Sequence, residues 1–205
     1  MIHAQERERE DVQAARQQWN VTVQDRTAQR LIFLDETWVS THMTRLYGYA
    51  PRGQRLVAAV PHGHWKTTTF IGGLTTQGFI APMVLDGPVN AAAFTAYIQQ
   101  VLAKETRPGD LLVLDNLSSH KTAAVQATLT SCRIDYLYLP PYSPDLNPIE
   151  NAFSKLKRLV RTAAERTVDG LWSAIGRLID RFRPHECVNY IRHCGYAATL
   201  TRNPL

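Results

Sequence analysis

Two short apolar runs stand out in the hydrophobic pattern of the chain, and each ends in an aspartate. LIFLD occupies residues 31–35 and LLVLD occupies residues 111–115. A continuous apolar run is typical of a strand buried on both faces at the centre of a sheet. A carboxylate is out of place there, so something else in the fold must stabilise each aspartate.

Between the two runs the pattern predicts three antiparallel strands and a helix. Segments 55–61, 65–74 and 78–85 are rich in β-branched and apolar residues, and turns that contain Gly or Pro separate them. Over residues 89–105 apolar side chains recur at helical spacing, and the sequence RPGD ends this predicted helix. The first half of the chain is therefore predicted to be a meander followed by a helix.

The second half of the chain is predicted to alternate between helices and strands. The predicted elements are a helix over 118–130 that begins at Ser118, a short strand over 134–139, a helix from Pro148 to about Thr162, and a helix from Val168 to Phe182. Residues 140–148 are rich in Pro and irregular, and the tail has no clear pattern. Antiparallel strands followed by strand–helix alternation are typical of a mixed-sheet α/β domain.

Composition narrows the classes of function. Hydrophobic residues make up 44% of 205 residues, which is enough for a buried core, and the net charge of +5 suits a polyanionic partner. The three cysteines lack paired spacing, which favours a reducing, cytoplasmic compartment. No apolar run approaches the roughly 20 residues of a membrane span, and the first residues are charged, so we expect neither membrane insertion nor export.

The two aspartates predict a metal site if their strands are neighbours in one sheet. Asp35 and Asp115 would then emerge at the same edge, where two like charges repel unless a divalent cation compensates them. Hard carboxylate oxygens suit Mg²⁺, which also takes phosphate oxygens as ligands. Singly, either aspartate could instead be an ordinary strand-end residue that caps a turn.

A third acid, Glu150, lies at the start of the helix predicted after the Pro-rich segment. Asn147 is a suitable N-cap, and Pro148 suits the first helical position. Glu150 is one residue off the apolar stripe of this helix, so its side chain is free for chemistry. The alternative is a capping box, in which Glu150 bonds back to the helix start and needs no metal.

Basic residues follow Glu150 along the same helix. Lys157 and Arg161 fall on the same helical line as Glu150, so a phosphate backbone bound at the acid would also meet these side chains. Further candidate DNA contacts are Lys155, Arg158, Lys66 and His120. Two other acids are left out as ligands, because Glu36 should face away from Asp35 by strand alternation and Asp145 belongs to a turn.

Taken in order, four motifs resemble one known family, the DDE transposases of the mariner-like superfamily and in particular their bacterial insertion-sequence branch. The motifs are FLDET (33–37), YGYAPRG (47–53), VLDNLSSH (113–120) and LPPYSPDLNPIENAFSKLK (139–157). The spacing of 34 residues between Asp115 and Glu150 is the spacing that this superfamily favours. The resemblance covers about residues 31–178.

This resemblance implies a ribonuclease H-like fold, with a mixed five-stranded sheet flanked by helices. It implies a catalytic domain over 31–183, after a helical lead-in (1–30) and before a tail (184–205). The family's three acids fall on Asp35, Asp115 and Glu150, which implies two Mg²⁺ ions, with Mn²⁺ as a substitute. It implies that water cuts a phosphodiester at the element end, and that the freed 3′-hydroxyl then attacks target DNA, with TA as the expected target.

The resemblance also implies partners. Relatives read double-stranded element ends with helix-turn-helix modules, which the thirty residues before LIFLD do not accommodate, so we expect a separate recognition region. A homodimer that holds two DNA ends, associated with the prokaryotic nucleoid in the cytoplasm, is the further expectation. Two alternatives stay open: a catalytically silent subunit that modulates a full transposase, and a metal-dependent nuclease without strand transfer.

Overall fold

The fold is built around one five-stranded mixed sheet. A computed structural model describes residues 5–24, 26–62 and 65–197. The strands are β1 (Leu31–Ser40), β2 (Thr67–Leu74), β3 (Phe79–Asp86), β4 (Leu111–Leu114) and β5 (Asp135–Tyr138). Their order in the sheet is β3-β2-β1-β4-β5. Strands β1 to β3 pair antiparallel, whereas β4 pairs parallel with both β1 and β5.

Seven α-helices are described around this sheet. They are α1 (Glu10–Gln24), α2 (Ala91–Tyr97), α3 (Ala103–Glu105), α4 (Ala123–Ser131), α5 (Ile149–Ala163), α6 (Val168–Ile179) and α7 (Pro184–His193). One π-helical turn, Ile98–Leu102, joins α2 to α3. The single helix predicted over 89–105 is therefore one helical rod with a wider turn inside it.

Two hydrophobic cores lie on opposite faces of the sheet. Because side chains alternate along a strand, Phe33 belongs to the core under α1, α5, α6 and α7, whereas Ile32 and Leu34 belong to the core under α2 and α4. All three side chains are at most 3% exposed. The apolar run LIFL thus lies in the centre of the sheet, as predicted.

One predicted strand is wrong. Residues 55–61 have no strand assignment and almost all of them are exposed. They belong to a long irregular segment, residues 44–62, which we call the arm. A strand needs a hydrogen-bonded neighbour, and β1 takes β2 and β4 as neighbours, so it has no free edge for the arm to pair with. The β-branched and apolar composition of 55–61 was misleading, because strand propensity is a weak guide where the segment has no neighbouring strand to pair with.

The helix predicted over 118–130 begins later than expected. Residues Ser118–Lys121 form a 3-10 turn, and α4 starts at Ala123. The Thr122 hydroxyl caps this helix by accepting from the Val125 amide at 3.4 Å. Ser118 is therefore not the first residue of α4. It begins the 3-10 turn that contains His120, whose ring bonds Asp115.

Both ends of the described chain contribute to the first core. Helix α1, in the predicted helical lead-in, buries Val12 and Trp19, and the Trp19 indole donates to the Tyr196 hydroxyl at 3.2 Å. Helix α7, which was not predicted in the tail, buries Val188 and Ile191 in the same core. Residues 198–205 lie outside the described residues. No helix in the described part of the chain is long and apolar enough to cross a membrane.

Candidate active site

Strand register brings the first two acids together. In the parallel pair β1–β4, Leu34 is opposite Leu114, so Asp35 and Asp115 follow at the same level of the sheet. The condition on which the predicted metal site depends, that these strands are neighbours, is met. Asp35 does not end its strand, however, because β1 continues to Ser40 and pairs with β2 along its whole extension.

Asp35 is a buried carboxyl held by two donors. Its side chain accepts from the Glu36 amide at 2.7 Å and from Asn147 Nδ2 at 2.9 Å. Burial, followed by the negative charges of Asp115 and Glu150, raises the pKa of Asp35 to about 7. The three acids are therefore close enough for their charges to interact, and the protein itself does not fully balance them.

Asp115 is tied to His120 and through it to Glu36. His120 Nδ1 lies 2.7 Å from Asp115 Oδ1, and His120 Nε2 lies 3.0 Å from Glu36 Oε2. The imidazole also stacks on Phe94 at 4.3 Å between ring centroids. Strand alternation was expected to turn Glu36 away from Asp35, and yet this histidine connects Glu36 to the site.

His120 is a buried cation in this arrangement. Burial lowers the pKa of His120, but its hydrogen bonds to Asp115 and Glu36 outweigh that effect and raise the pKa to about 9. Both ring nitrogens then donate to carboxylates. Its side chain is only 1% exposed, so the prediction that His120 contacts DNA is wrong: the residue orients Asp115 from within the fold.

Helix α5 presents the third acid. Pro148 occupies the cap position of α5 and no side chain caps the helix, so Asn147 is not the N-cap that the sequence suggested. Its side chain instead bonds Asp35, which fastens the start of α5 to β1. Glu150 lies in the first turn of α5 and is exposed. With no side-chain cap bond in the structure, the capping-box alternative for Glu150 has no support.

The three acids line one cavity of about 370 Å³. Asn116 lies in the same wall, and its buried Oδ1 has no hydrogen-bond partner among the described residues. A set of carboxylate oxygens with an unpartnered amide oxygen fits a hard divalent cation by donor chemistry. Within the described ranges, however, no three His, Cys, Asp or Glu side chains are grouped closely enough to hold a metal ion.

Protein donors bond both oxygens of Asp35 and one oxygen of Asp115. Asp35 accepts from Asn147 and from the Glu36 amide, and Asp115 Oδ1 accepts from His120 and from the Leu117 amide. These bonds orient the two carboxylates in the cavity wall.

The predicted basic contacts divide into two sets. Lys155 binds Glu186 and the Arg181 carbonyl, and its ammonium lies 4.4 Å from the Phe182 ring centre, so it holds α5 against α7. A DNA contact at Lys155 stays a prediction. Lys157 lies over the exposed Trp38 ring at 5.2 Å. Arg158 and Arg161 line a second cavity further along α5.

Lys66 is exposed and lies outside the walls of the acid cavity. It precedes β2 at the end of the sheet where Ser40 pairs with Thr67. Five residues separate Ser40 from Asp35, which is about 17 Å along a strand. Lys66 therefore remains a prediction for a DNA contact away from the acids.

Sequence reasoning missed two residues of the site, Asn147 and Glu36. Asn147 lies three residues before Glu150, and this spacing predicted that it caps the helix. Only the tertiary fold shows that its side chain bonds Asp35 instead. Glu36 was left out because strand alternation should turn it away from Asp35, yet it lines the same cavity and also accepts from a histidine 84 residues away.

A mixed five-stranded sheet of this order, flanked by helices, is a ribonuclease H-like fold. A family model described as DDE superfamily endonuclease matches residues 30–171, which is more than half of the chain. The chain therefore belongs to the DDE superfamily endonucleases, and the predicted enzyme class is confirmed. Comparison with curated proteins found no match.

Solved structures of Mos1 share the fold. The mariner Mos1 paired end complex with Mg superposes with a TM-score of 0.70 at 20% identity, covering 95% of this chain and 63% of that one. The Mos1 strand transfer complex gives 0.67 at 21% identity, covering 90% and 56%. The Mos1 catalytic domain with raltegravir and Mg gives 0.65 at 18% identity, covering 94% and 90%. This chain thus spans about three fifths of the Mos1 chains in the DNA complexes, and nearly all of the isolated catalytic domain.

Proposed function

We propose that this chain is the catalytic domain of a transposase that cuts DNA at element ends and joins the freed 3′-hydroxyl to target DNA. The observation that carries the proposal is the single cavity lined by Asp35, Asp115 and Glu150 within the fold of this endonuclease family. The strand transfer and paired end complexes of Mos1, to which the chain is similar in fold, support the same reaction class.

In the proposed mechanism, Asp35, Asp115 and Glu150 hold the catalytic ions. Two Mg²⁺ or Mn²⁺ ions there would activate the attacking oxygen, stabilise the leaving oxygen and offset charge on the phosphate during in-line displacement. The raised pKa of Asp35, caused first by burial and then by the negative charges of Asp115 and Glu150, supports this assignment, because a divalent cation would offset both effects. Mos1 structures with Mg and with Mn support the choice of ion.

The chain's own residues orient the acids. Asn147 holds Asp35 against the start of α5, and protonated His120 holds Asp115 by its Nδ1 proton while Glu36 accepts from Nε2. No side chain has to act as a covalent nucleophile, since water and then a DNA 3′-hydroxyl attack phosphorus. The proposed protein contribution is therefore positioning and charge.

The proposed substrate is double-stranded DNA. The net charge of +5 and the exposed cations Arg158 and Lys66, with half-buried Lys157 and Arg161, suit phosphate contacts. Sequence recognition would come from a separate helix-turn-helix region, and two chains would hold two DNA ends as a homodimer. A TA target and action at the nucleoid in the cytoplasm complete the proposal.

A plasmid-nicking assay tests the enzymatic part. We expect the chain to nick supercoiled plasmid in Mg²⁺ or Mn²⁺ but not in EDTA, and Asp115→Ala to lose at least about 100-fold in rate while it still binds DNA. The matched control is Asp86→Ala, an exposed acid that ends β3 away from the cavity. Equal nicking by Asp115→Ala, or no metal-dependent nicking by the wild type, would favour a silent assembly subunit instead.

Product analysis separates a transposase from a nuclease. With a helix-turn-helix recognition partner supplied and pre-cut element ends as substrate, we expect joined DNA products, flanked by TA, that require Asp35 as well as Asp115. Nicked products without any joined DNA would favour the nuclease without strand transfer. Specific cutting of element ends by the chain alone would contradict the need for the partner.

A further inference from the structure

A second cavity, separate from the acids, lies between the arm and the outer half of α5. Its volume is about 590 Å³, and its lining residues are Arg45, Leu46, Tyr47, Gly48, Tyr49, Arg158, Arg161 and Thr162. This volume is in the range of about 300–1,000 Å³ that is usual for small-ligand sites. We call these eight residues the Arg–Tyr groove.

The charge of the Arg–Tyr groove is all of one sign. Three of its side chains are arginines, and none is acidic. Among the described residues, none of the three arginines has a carboxylate within ion-pair distance, whereas Arg7, Arg16 and Arg30 elsewhere on the chain do. A cluster of unpaired guanidinium groups is complementary to an anion such as phosphate.

Two aromatic rings are unusually exposed in the same groove. The exposed fractions are 89% for Tyr47 and 103% for Tyr49, so neither ring is packed against another part of the described residues. Gly48 between them packs directly on the arm, because a Cβ at this position would be 2.7 Å from Leu56 Cδ2. The backbone of the arm thus turns on itself and leaves both rings on the surface.

Arginine with free aromatic rings is the combination that binds single-stranded nucleic acid. The guanidinium groups contact phosphates, and the rings stack on bases, which expose their faces only where the strands are unpaired. A duplex keeps its bases stacked on one another and would meet only the arginines. The two tyrosines therefore favour an unpaired strand over duplex DNA.

Helix α5 connects the groove to the acids. Glu150 lies in its first turn at the acid cavity, and Arg161 lies in its last turn at the groove. Eleven residues of helix span about 16 Å, a distance that a DNA strand of a few nucleotides covers. Lys157, over Trp38, lies between the two sites.

We propose that the Arg–Tyr groove binds unpaired nucleotides of the DNA strand that is cut at Asp35, Asp115 and Glu150. Arg45, Arg158 and Arg161 contact the phosphates, and Tyr47 and Tyr49 stack on the bases. This inference rests on the proposed function, since it assigns to the same DNA substrate a segment without base pairing next to the scissile phosphate. The base of the arm is held in place by Arg166, which donates to the Thr41 and Met43 carbonyls.

Fluorescence anisotropy with two labelled DNA probes tests the proposal. One probe is a blunt duplex and the other is the same duplex with a short single-stranded overhang, both in EDTA at fixed salt. We expect the wild type to bind the overhang probe about 10-fold more tightly than the blunt duplex. Tyr47→Ala/Tyr49→Ala should lose that preference, while Tyr47→Phe/Tyr49→Phe should keep it because the rings remain.

The arginines have a matched control. Arg158→Ala/Arg161→Ala removes two charges from the groove, and Lys104→Ala/Arg107→Ala removes two exposed charges beside the turn that precedes β4. We expect the groove pair to weaken overhang binding about 10-fold more than the control pair. Because Tyr47 and Tyr49 are exposed, unfolding midpoints of the tyrosine variants should equal that of the wild type.

Three results would overturn the proposal. Equal affinity of the wild type for both probes is one, and an unchanged overhang preference in Tyr47→Ala/Tyr49→Ala is another. The third is a loss of self-association in that variant, measured by sedimentation, with DNA binding intact, which would assign the rings to a protein contact. Retained Mg²⁺-dependent plasmid nicking in any of these cases would leave the proposed function standing.

Discussion

The residue of this site that most opposes folding is Asp35. Burial in the sheet, followed by the charges of Asp115 and Glu150, raises the pKa of its carboxyl to about 7. A group in this position destabilises the chain when it is ionised and no cation is bound, which is a common trade between stability and activity. The same charge is what makes the residue useful as a metal ligand.

Removing that charge should stabilise the metal-free chain. We expect Asp35→Asn to raise the free energy of unfolding by about 1–2 kcal/mol in EDTA at pH 8, because it removes a buried like charge and keeps the side-chain shape. Urea unfolding measures the change, with Asp86→Asn as an exposed control that changes stability by less than about 0.5 kcal/mol. A less stable Asp35→Asn would show that the carboxylate is balanced by the protein after all.

Replacing His120 should lower the free energy of unfolding, which is the opposite of the change expected for Asp35→Asn. His120 is buried, bonds two carboxylates and stacks on Phe94, so His120→Ala leaves Asp115 and Glu36 without their donor. We expect a loss of about 3 kcal/mol in the free energy of unfolding, and at least about 10-fold in nicking rate. The exposed His62 provides the control variant, His62→Ala, which should change neither quantity. An active and stable His120→Ala would remove this residue from the account.

At the scale of elements, the site is fixed by where strands and helices meet. Helix α1 and the residues before it hold the turn that leads into α5: Arg16 bonds Asp145 through both carboxylate oxygens and Ser143 through its hydroxyl. Arg7 bonds the same carboxylate, at 3.0 Å. The N-terminal helix thus supports the segment that carries Asn147 and Glu150.

The Arg16–Asp145 pair should contribute stability that depends on pH. Burial acts to raise the pKa of Asp145, but the hydrogen bond and charge of Arg16, with Arg7, outweigh it and hold that pKa below its usual value. The contribution is therefore present above the unfolded pKa of about 3.9 and is lost as pH falls through the folded value. We expect Arg16→Ala to cost about 1–2 kcal/mol at pH 7 and clearly less at pH 3.

Arg9→Ala is the matched control for this prediction, since the Arg9–Asp11 pair is exposed. Unfolding midpoints at both pH values should be unchanged in that variant. An Arg16→Ala effect of equal size at pH 7 and pH 3 would mean that packing of the side chain, and not its ion pair, holds α1 in place.

The end of α5 offers a test of local geometry. Ala164 ends the helix in the left-handed conformation, with φ of 54°, which favours glycine. We expect Ala164→Gly to raise the free energy of unfolding by about 0.5–1 kcal/mol, and Ala163→Gly, inside the same helix, to lower it by a similar amount. Thermal unfolding of the pair measures both changes, and equal signs would contradict this account of the helix end.

The elements that the sequence predicted well are those whose signal is local. The runs at 31–35 and 111–115 are apolar on both faces, and only a central strand buries both faces. Helix α7 was missed because its buried stripe, with Val188 and Ile191, is short and set among polar residues. The arm was mistaken for a strand because its composition suits one, while pairing depends on partners elsewhere in the chain.

In the candidate site, too, features with a local sequence signal could be predicted, and features that depend on the tertiary fold could not. The motifs with Asp35 and Asp115 at the ends of two apolar runs could be predicted, whereas the parallel pairing of β1 and β4 that brings these residues together was only a condition until the fold showed it. The bond from Asn147 to Asp35 could not be predicted, since it joins residues 112 positions apart that only the folded sheet brings together. Nor could the buried position of His120, which depends on a 3-10 turn where a helix was expected.

At the scale of the whole molecule, the sheet separates two cores, and the acids lie where its central strands meet the start of α5. Both cores cover the central strands, so the backbones that carry Asp35 and Asp115 are held on both sides. Glu150, by contrast, is exposed on a helix turn. The backbones of the two aspartates are therefore held firmly, whereas Glu150 reaches the site from the first turn of α5.

Ion binding tests the central claim most directly. Titration of the metal-free chain with Mn²⁺, followed by electron paramagnetic resonance or calorimetry, should show saturable binding that Asp115→Ala weakens at least about 10-fold, whereas Asp86→Ala leaves it unchanged. Equal Mn²⁺ affinity in Asp115→Ala, or no saturable binding by the wild type, would contradict the assignment of Asp35, Asp115 and Glu150 as the ligands of the catalytic ions.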